Sequence, residues 1–158
     1  MRLVSELLKD SKKSDRELAK VLGVSQPTVS RVRNKLRKEG LIREYTIVPD
    51  FAKLGYEIMA VTIAKAKTTL SPSEQEKAKK LVVENPQVIF AASAIGMGRN
   101  GVMVSFHKSY SDFLNFMTNL ESKSEGYMED VDTMLVNLKS PMIVKPLSLA
   151  YLAHDIDV

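Results

Sequence analysis

The 158-residue sequence contains no cysteine. Disulfides and thiolate metal sites are therefore excluded, and a reducing cytoplasmic setting fits the chain. Two histidines, His107 and His154, are too few for a histidine-rich metal site. No apolar run approaches the ~18 residues that span a membrane as a helix. The opening MRLVSELLKD is interrupted by Glu6, Lys9 and Asp10, unlike a secretory signal. No catalytic constellation is visible. Asp130 and Asp132 share one face of a predicted strand and read as a solvated edge. His107 ends another strand and His154 lies in the tail, and each reads as an ordinary structural or surface histidine. The expectation is a cytoplasmic protein with no membrane segment, metal, cofactor or enzymatic activity.

What is present can build cores: 44% of residues are hydrophobic and 27% charged. The length suits one medium domain or two small ones. Charge is unevenly placed. Residues 1–50 hold 12 Lys/Arg against 7 Asp/Glu, a balance of +5, while residues 51–158 hold 11 against 12. A basic half attracts polyphosphate regardless of sequence, which makes nucleic acid a natural partner.

Three helices are predicted in residues 1–41. The first covers roughly 2–10, with Leu3, Val4, Leu7 and Leu8 on one stripe. The second starts at Ser14, which forms a capping box with Glu17. Leu18, Val21 and Leu22 face inward, and Gly23 ends the helix. The third begins after the N-cap Ser25, with Pro27 in its first turn. Val29, Val32 and Leu36 form its buried stripe, and Gly40 stops it. This is the outline of a helix-turn-helix. Gln26, Thr28, Ser30, Arg31 and Asn34 are predicted to enter the DNA groove, with Lys35, Arg37 and Lys38 on phosphates. Residues 42–54 read as a linker strand broken by Pro49-Asp50.

From residue 55 to 138 the pattern alternates strand and helix. Strands are predicted at Tyr56–Lys65, Val88–Ala94, Val102–His107 and Met128–Leu138. A helix opens at the Ser71/Glu74 capping box and buries Ala78, Leu81 and Val82. A second opens at Ser109, with Phe113, Phe116, Met117 and Leu120 inward. The order βαββαβ is ferredoxin-like. Its helices cover one sheet face, and a second copy is the expected cover for the other. Residues 139–158 form a tail whose LSLAYLA patch docks on the sheet or on the partner.

Gly96-Met97-Gly98-Arg99-Asn100-Gly101 matches G-x-G-x-x-G, but a dinucleotide fingerprint must open a helix and this run leads into a strand. Asn100-Gly101 is a hairpin-turn dipeptide, so a hairpin with free backbone N–H groups is the better reading.

A helix-turn-helix, a linker and a βαββαβ unit together resemble the Lrp/AsnC (leucine-responsive, feast/famine) regulators. The similarity is most specific over residues 17–56, where Leu36-x-x-Glu39-Gly40-Leu41-Ile42-Arg43-x-Tyr45, followed by Leu54-Gly55, looks like the family's helix end, wing and domain entry. The resulting fold expectation is α+β: an N-terminal (winged) helix-turn-helix domain followed by a ferredoxin-like βαββαβ domain. The resemblance implies a sequence-specific regulator of double-stranded DNA that forms a homodimer or higher even oligomer. It also implies an amino-acid or other small-molecule effector near the hairpin, at Gly96, Gly98, Arg99, Asn100 and Gly101. The family often carries Gly-x-x-Asp there. In this chain Gly98-Arg99-Asn100-Gly101 lacks the acid and adds a cation, which favours an anionic ligand or none. Two alternatives stand beside this reading. One is an architectural protein that coats DNA with little sequence preference. The other is a tetrapyrrole-pathway decarboxylase, since some haem-pathway enzymes resemble the same scaffold and could recruit His107, His154 and Arg99.

Overall fold

The computed structural model describes residues 2–124 and 126–156. The outermost ends of the expected first domain and tail, Met1 and residues 157–158, lie outside the described residues. The chain divides into two compact units, residues up to 48 together with those from 144 onward, and residues 49–143.

The first unit holds helices α1 (Arg2–Lys9), α2 (Asp15–Leu22) and α3 (Gln26–Lys38). The Ser14 hydroxyl accepts from the Glu17 amide while the Glu17 carboxylate accepts from the Ser14 amide at 2.7 Å. This satisfies two donors that a helix start otherwise leaves free. Gly23 ends α2 at φ 68°, a left-handed conformation that costs glycine nothing. Leu3, Leu7, Leu18, Ala19 and Val29 form the core, with Leu22, Val32, Leu36 and Ile42 against it. Ala19 takes the inward place expected of Val21, which is half exposed at 51%.

The tail belongs to this unit. A 3-10 turn, Leu149–Leu152, runs into a last short helix, Ala153–Ile156. It packs on α1, where the buried Ser5 hydroxyl donates to the Ala153 carbonyl at 2.9 Å. The expectation named the sheet or the partner; within the first unit the patch rests on helix α1. Residues 43–50 carry no regular secondary structure. Among the described residues of this single chain, the segment expected as linker strand and wing is not paired as a strand.

The second unit contains β1 (Ile58–Ala66), α4 (Pro72–Val83), β2 (Val88–Gly96), β3 (Arg99–His107), α5 (Tyr110–Lys123) and β4 (Met128–Asn137). The antiparallel sheet has the order β2-β3-β1-β4. Register partners Ala60↔Ser105 and Thr62↔Met103 lie on the helix-covered face. There Met103, Phe116 and Leu120 make a core with Val82, Val88 and Met117. Alternation puts Met59, Val61, Ile63, Val104 and Met134 on the opposite face, where Met134 is 70% exposed. The Ser71/Glu74 capping box forms as expected. Ala78, Leu81 and Val82 of α4 are only half-buried, and no residue of that helix is fully buried.

Candidate nucleic-acid interface and hairpin

Helix α3 starts at Ser25, whose hydroxyl accepts from the Thr28 amide and also bonds the Thr28 hydroxyl at 2.8 Å. Its buried side, centred on Val29 at 1% exposure, fixes which residues face out. At 100° per residue, Pro27, Arg31, Asn34 and Lys38 lie farthest from the buried side. Gln26, Arg31, Asn34, Lys35, Arg37 and Lys38 are exposed. Five lysines and arginines and no acid lie within the helix. Only Glu39, at its end, draws in Lys35, 3.7 Å away.

Two of the residues expected in the groove are committed inside the unit. Ser30 is half-buried and its hydroxyl donates to Asp15. Thr28 is half-buried and shares the cap with Ser25. Residues that sequence reasoning passed over hold the helix in place. Asp15 Oδ1 lies 2.7 Å from Arg33 Nη2, which also donates to the Lys13 carbonyl at 3.3 Å. The Arg33 guanidinium stands 5.8 Å from the Tyr45 ring centroid. The signal was present: Asp15 opens α2, and Ser30 and Arg33 sit on the flank of α3 rather than at its outer edge.

In the second unit the hairpin differs from its expectation. Gly96 pairs with Arg99, so the turn is Met97-Gly98, with φ of 53° and 70°. Positive φ at both positions marks a type I′ turn. Asn100 and Gly101 belong to strand β3 instead. The Asn100 side-chain carbonyl accepts from the Ala66 amide at 2.7 Å, and its NH2 donates to the Ala66 carbonyl at 2.9 Å. Asn100 thus completes the end of β1 and its amide is not a free ligand contact.

Arg99 is also occupied. Its guanidinium is 2.7 Å from Asp130 and makes a second ion pair with Asp132. The Asp132 hydrogen bond leads the effects that raise the Arg99 pKa above its ordinary value, with both carboxylates adding attraction. One cation against two carboxylates leaves this corner anionic. The expected cation for an anionic ligand is neutralised, and Asp130 and Asp132 are more than a solvated edge.

His107 is sealed in the core and holds a polar chain. Gln87 Nε2 donates to Asp112 and lies 3.2 Å from His107 Nδ1; His107 Nε2 lies 2.8 Å from the Ser105 hydroxyl. Because the Gln87 amide is a donor, Nδ1 accepts and Nε2–H donates, which requires neutral imidazole. Burial pushes the His107 pKa down, with Asp112 opposing. His154, by contrast, is exposed in the last short helix. No described group of histidines and carboxylates could hold a metal ion. Among the described residues no helix is long and apolar enough to cross a membrane.

Residues 10–55 match the Crp-like helix-turn-helix domain model. Over 140 residues the chain is 31% identical to the uncharacterised HTH-type transcriptional regulator PH0061 of Pyrococcus horikoshii, covering 87% of this chain and 89% of that protein. The HTH-type transcriptional regulator LrpC of Bacillus subtilis is 26% identical, with 73% of this chain and 78% of LrpC covered. The crystal structure of PH0061 superposes with a TM-score of 0.78 over 94% of this chain and 93% of that one, at 28% identity. An AsnC family regulator from Agrobacterium tumefaciens has the same fold, with a TM-score of 0.77 at 19% identity over 96% and 95% of the two chains. So does NMB0573 of Neisseria meningitidis, solved as an L-Met complex, with a TM-score of 0.77 at 16% identity over 93% and 91%.

Proposed function

Because the chain belongs to the Lrp/AsnC family of helix-turn-helix transcription regulators, we propose that this DNA-binding regulator reads a specific duplex sequence as a dimer and answers to a small effector. The exposed edge of α3 carries the reading. Gln26, Arg31 and Asn34 are free side chains on the N-terminal and outer part of a helix that is capped, buried on Val29 and clamped through Asp15. Arg31 and Asn34 are the residue types that bond guanine and adenine edges bidentately. Arg37 and Lys38 serve phosphates, with Lys35 partly engaged by Glu39. Thr28 and Ser30 act by shaping the helix rather than by touching bases.

A second copy is the fitting cover for the sheet face that carries Met59, Val61, Val104 and Met134. A dimer of this kind reads two half-sites about 34 Å apart, one turn of DNA. The effector belongs to the second unit, near Gly96, Gly98 and Arg99. The L-Met complex of the Neisseria protein supports an amino acid as its class. Asp130 and Asp132, with a carboxylate in excess of Arg99, suit an ammonium group better than an anion. The occupied amide of Asn100 and the buried His107 leave little for a tetrapyrrole to hold, so the chain is read as a regulator without enzymatic activity.

Selection of duplexes from a random pool, with and without a panel of amino acids, tests this. One pseudo-palindrome, footprinted as two half-sites a helical turn apart, is the expected result. Uniform enrichment, with no protected site above background at physiological salt, would make the protein an architectural DNA coat instead.

A further inference from the structure

Helix α4 stands off the sheet. Its Ala78 and Val82 face the side of the sheet where small residues stand: Ala91 and Ser93 in β2 with Ala64 in β1. Helix and sheet flank an open, groove-like cavity of about 780 Å³. Close-packed interiors hold few voids larger than one water, whereas small-molecule sites run from roughly 300 to 1,000 Å³. The wall is chiefly apolar, with Val82, Met103, Met117 and Leu120 around the Ala91 floor. Methionine side chains conform readily to irregular apolar guests.

The polar groups at the rim select the ligand's head. Lys67, just past the end of β1, lines the cavity; among the described residues it makes no salt bridge within 4 Å, and only a longer-range attraction links it to Glu74. Lys79 also lines it but lies 3.7 Å from Glu76. Glu121 supplies one carboxylate from the α5 side, which directs an anionic head toward Lys67.

We propose that this cavity binds an apolar monocarboxylate, its chain between α4 and the sheet and its carboxylate on Lys67 Nζ. The site lies inside the second unit, beneath α4, and reaches the foot of the Met97-Gly98 turn, where Asn100 and Gly101 also line it. A straight-chain fatty acid and a branched 2-oxo acid share this chemistry.

Calorimetric titration of the full chain with hexanoate, octanoate, 4-methyl-2-oxopentanoate, octylamine and octan-1-ol tests it. Octanoate is expected to bind more tightly than hexanoate by about fourfold per added methylene. Tighter binding of octanoate than of the oxo acid would assign a straight chain, and the reverse a branched one. Lys67→Gln is expected to weaken either carboxylate about fivefold. Ala91→Met, which fills the floor, should abolish binding while leaving the melting temperature unchanged or raised. Should Ala91→Met not fold, the exposed Lys67→Gln still decides the matter. No heat from any carboxylate, equal affinity for octylamine, or unchanged affinity in Lys67→Gln would overturn the proposal. DNA takes no part in these titrations, so their failure leaves the role of α3 standing, and failure of DNA selection leaves the cavity standing.

Discussion

Asp15 at the start of α2 and Arg33 on the flank of α3 form a half-buried ion pair of 2.7 Å, with side-chain exposures of 24% and 20%. The same carboxylate takes the Ser30 hydroxyl. One acid therefore fixes how the recognition helix sits on its support. Asp15→Ala is expected to destabilise the first unit by about 1–3 kcal/mol, since it leaves Arg33 half-buried without its partner. Affinity for the selected duplex and for random DNA should fall together. A preferential loss on the selected site, with melting unchanged, would instead place Asp15 at the DNA.

Arg31 and Lys38 lie on the same outer edge of α3 but are assigned different tasks. Arg31→Ala should cost about 1–3 kcal/mol on the selected site and relax the preference at one base position. Lys38→Ala should weaken binding to all sequences alike and lower the slope of log affinity against log salt by about 1. Fluorescence anisotropy on matched and scrambled duplexes at several salt concentrations separates the two. Equal losses from Arg31→Ala on both duplexes would reassign it to phosphate.

Acid should act on the second unit through His107. Burial lowers its pKa below the ordinary histidine value of 6.5, so the unfolded chain binds the proton more readily. The stability this confers is complete above about pH 6.5 and is lost as pH falls toward the lower folded value. Chemical denaturation between pH 8 and 5 should show this decline. His107→Gln should flatten it in that window, and an unchanged pH profile in that variant would remove His107 as the cause.

Removing the chain from Ser148 onward should destabilise the first unit, because it uncovers Ser5 and removes the fully buried Ala153. Ser5→Val removes only the hydrogen bond to the Ala153 carbonyl and should cost about 1 kcal/mol. Thermal unfolding of the two variants gives the order. A truncated chain as stable as the full one would mean that the tail rests on α1 without supporting it.

Much of this architecture was legible in the residues. Ser14 with Glu17, Ser71 with Glu74 and Gly23 mark helix ends by chemistry that works within four residues, so no distant partner can overrule it. The inward positions Phe113, Phe116 and Leu120 were equally plain from their spacing. The hairpin was misplaced because Asn100-Gly101 is a strong local turn signal, whereas the ladder set by partners such as Ile63↔Val102 carries β3 on to Arg99. Asn100 then serves the end of β1, a contact 34 residues away in sequence. Ser30 and Arg33 fall at the boundary of the exposed arc, where only the position of α2 decides whether a polar side chain meets solvent or Asp15. The docking of the tail on Ser5 is likewise invisible to periodicity, since an apolar stretch does not name its partner.

Segments on both sides of the second unit build the first, so the second is spliced into it between residues 48 and 144. Synthesis runs from the N-terminus, so the segment that lays Ala153 on α1 emerges only after the whole sheet unit. The helix-turn-helix core is therefore closed last, by residues from 144 onward, and a ribosome that stalls inside the insert leaves Ser5 uncovered.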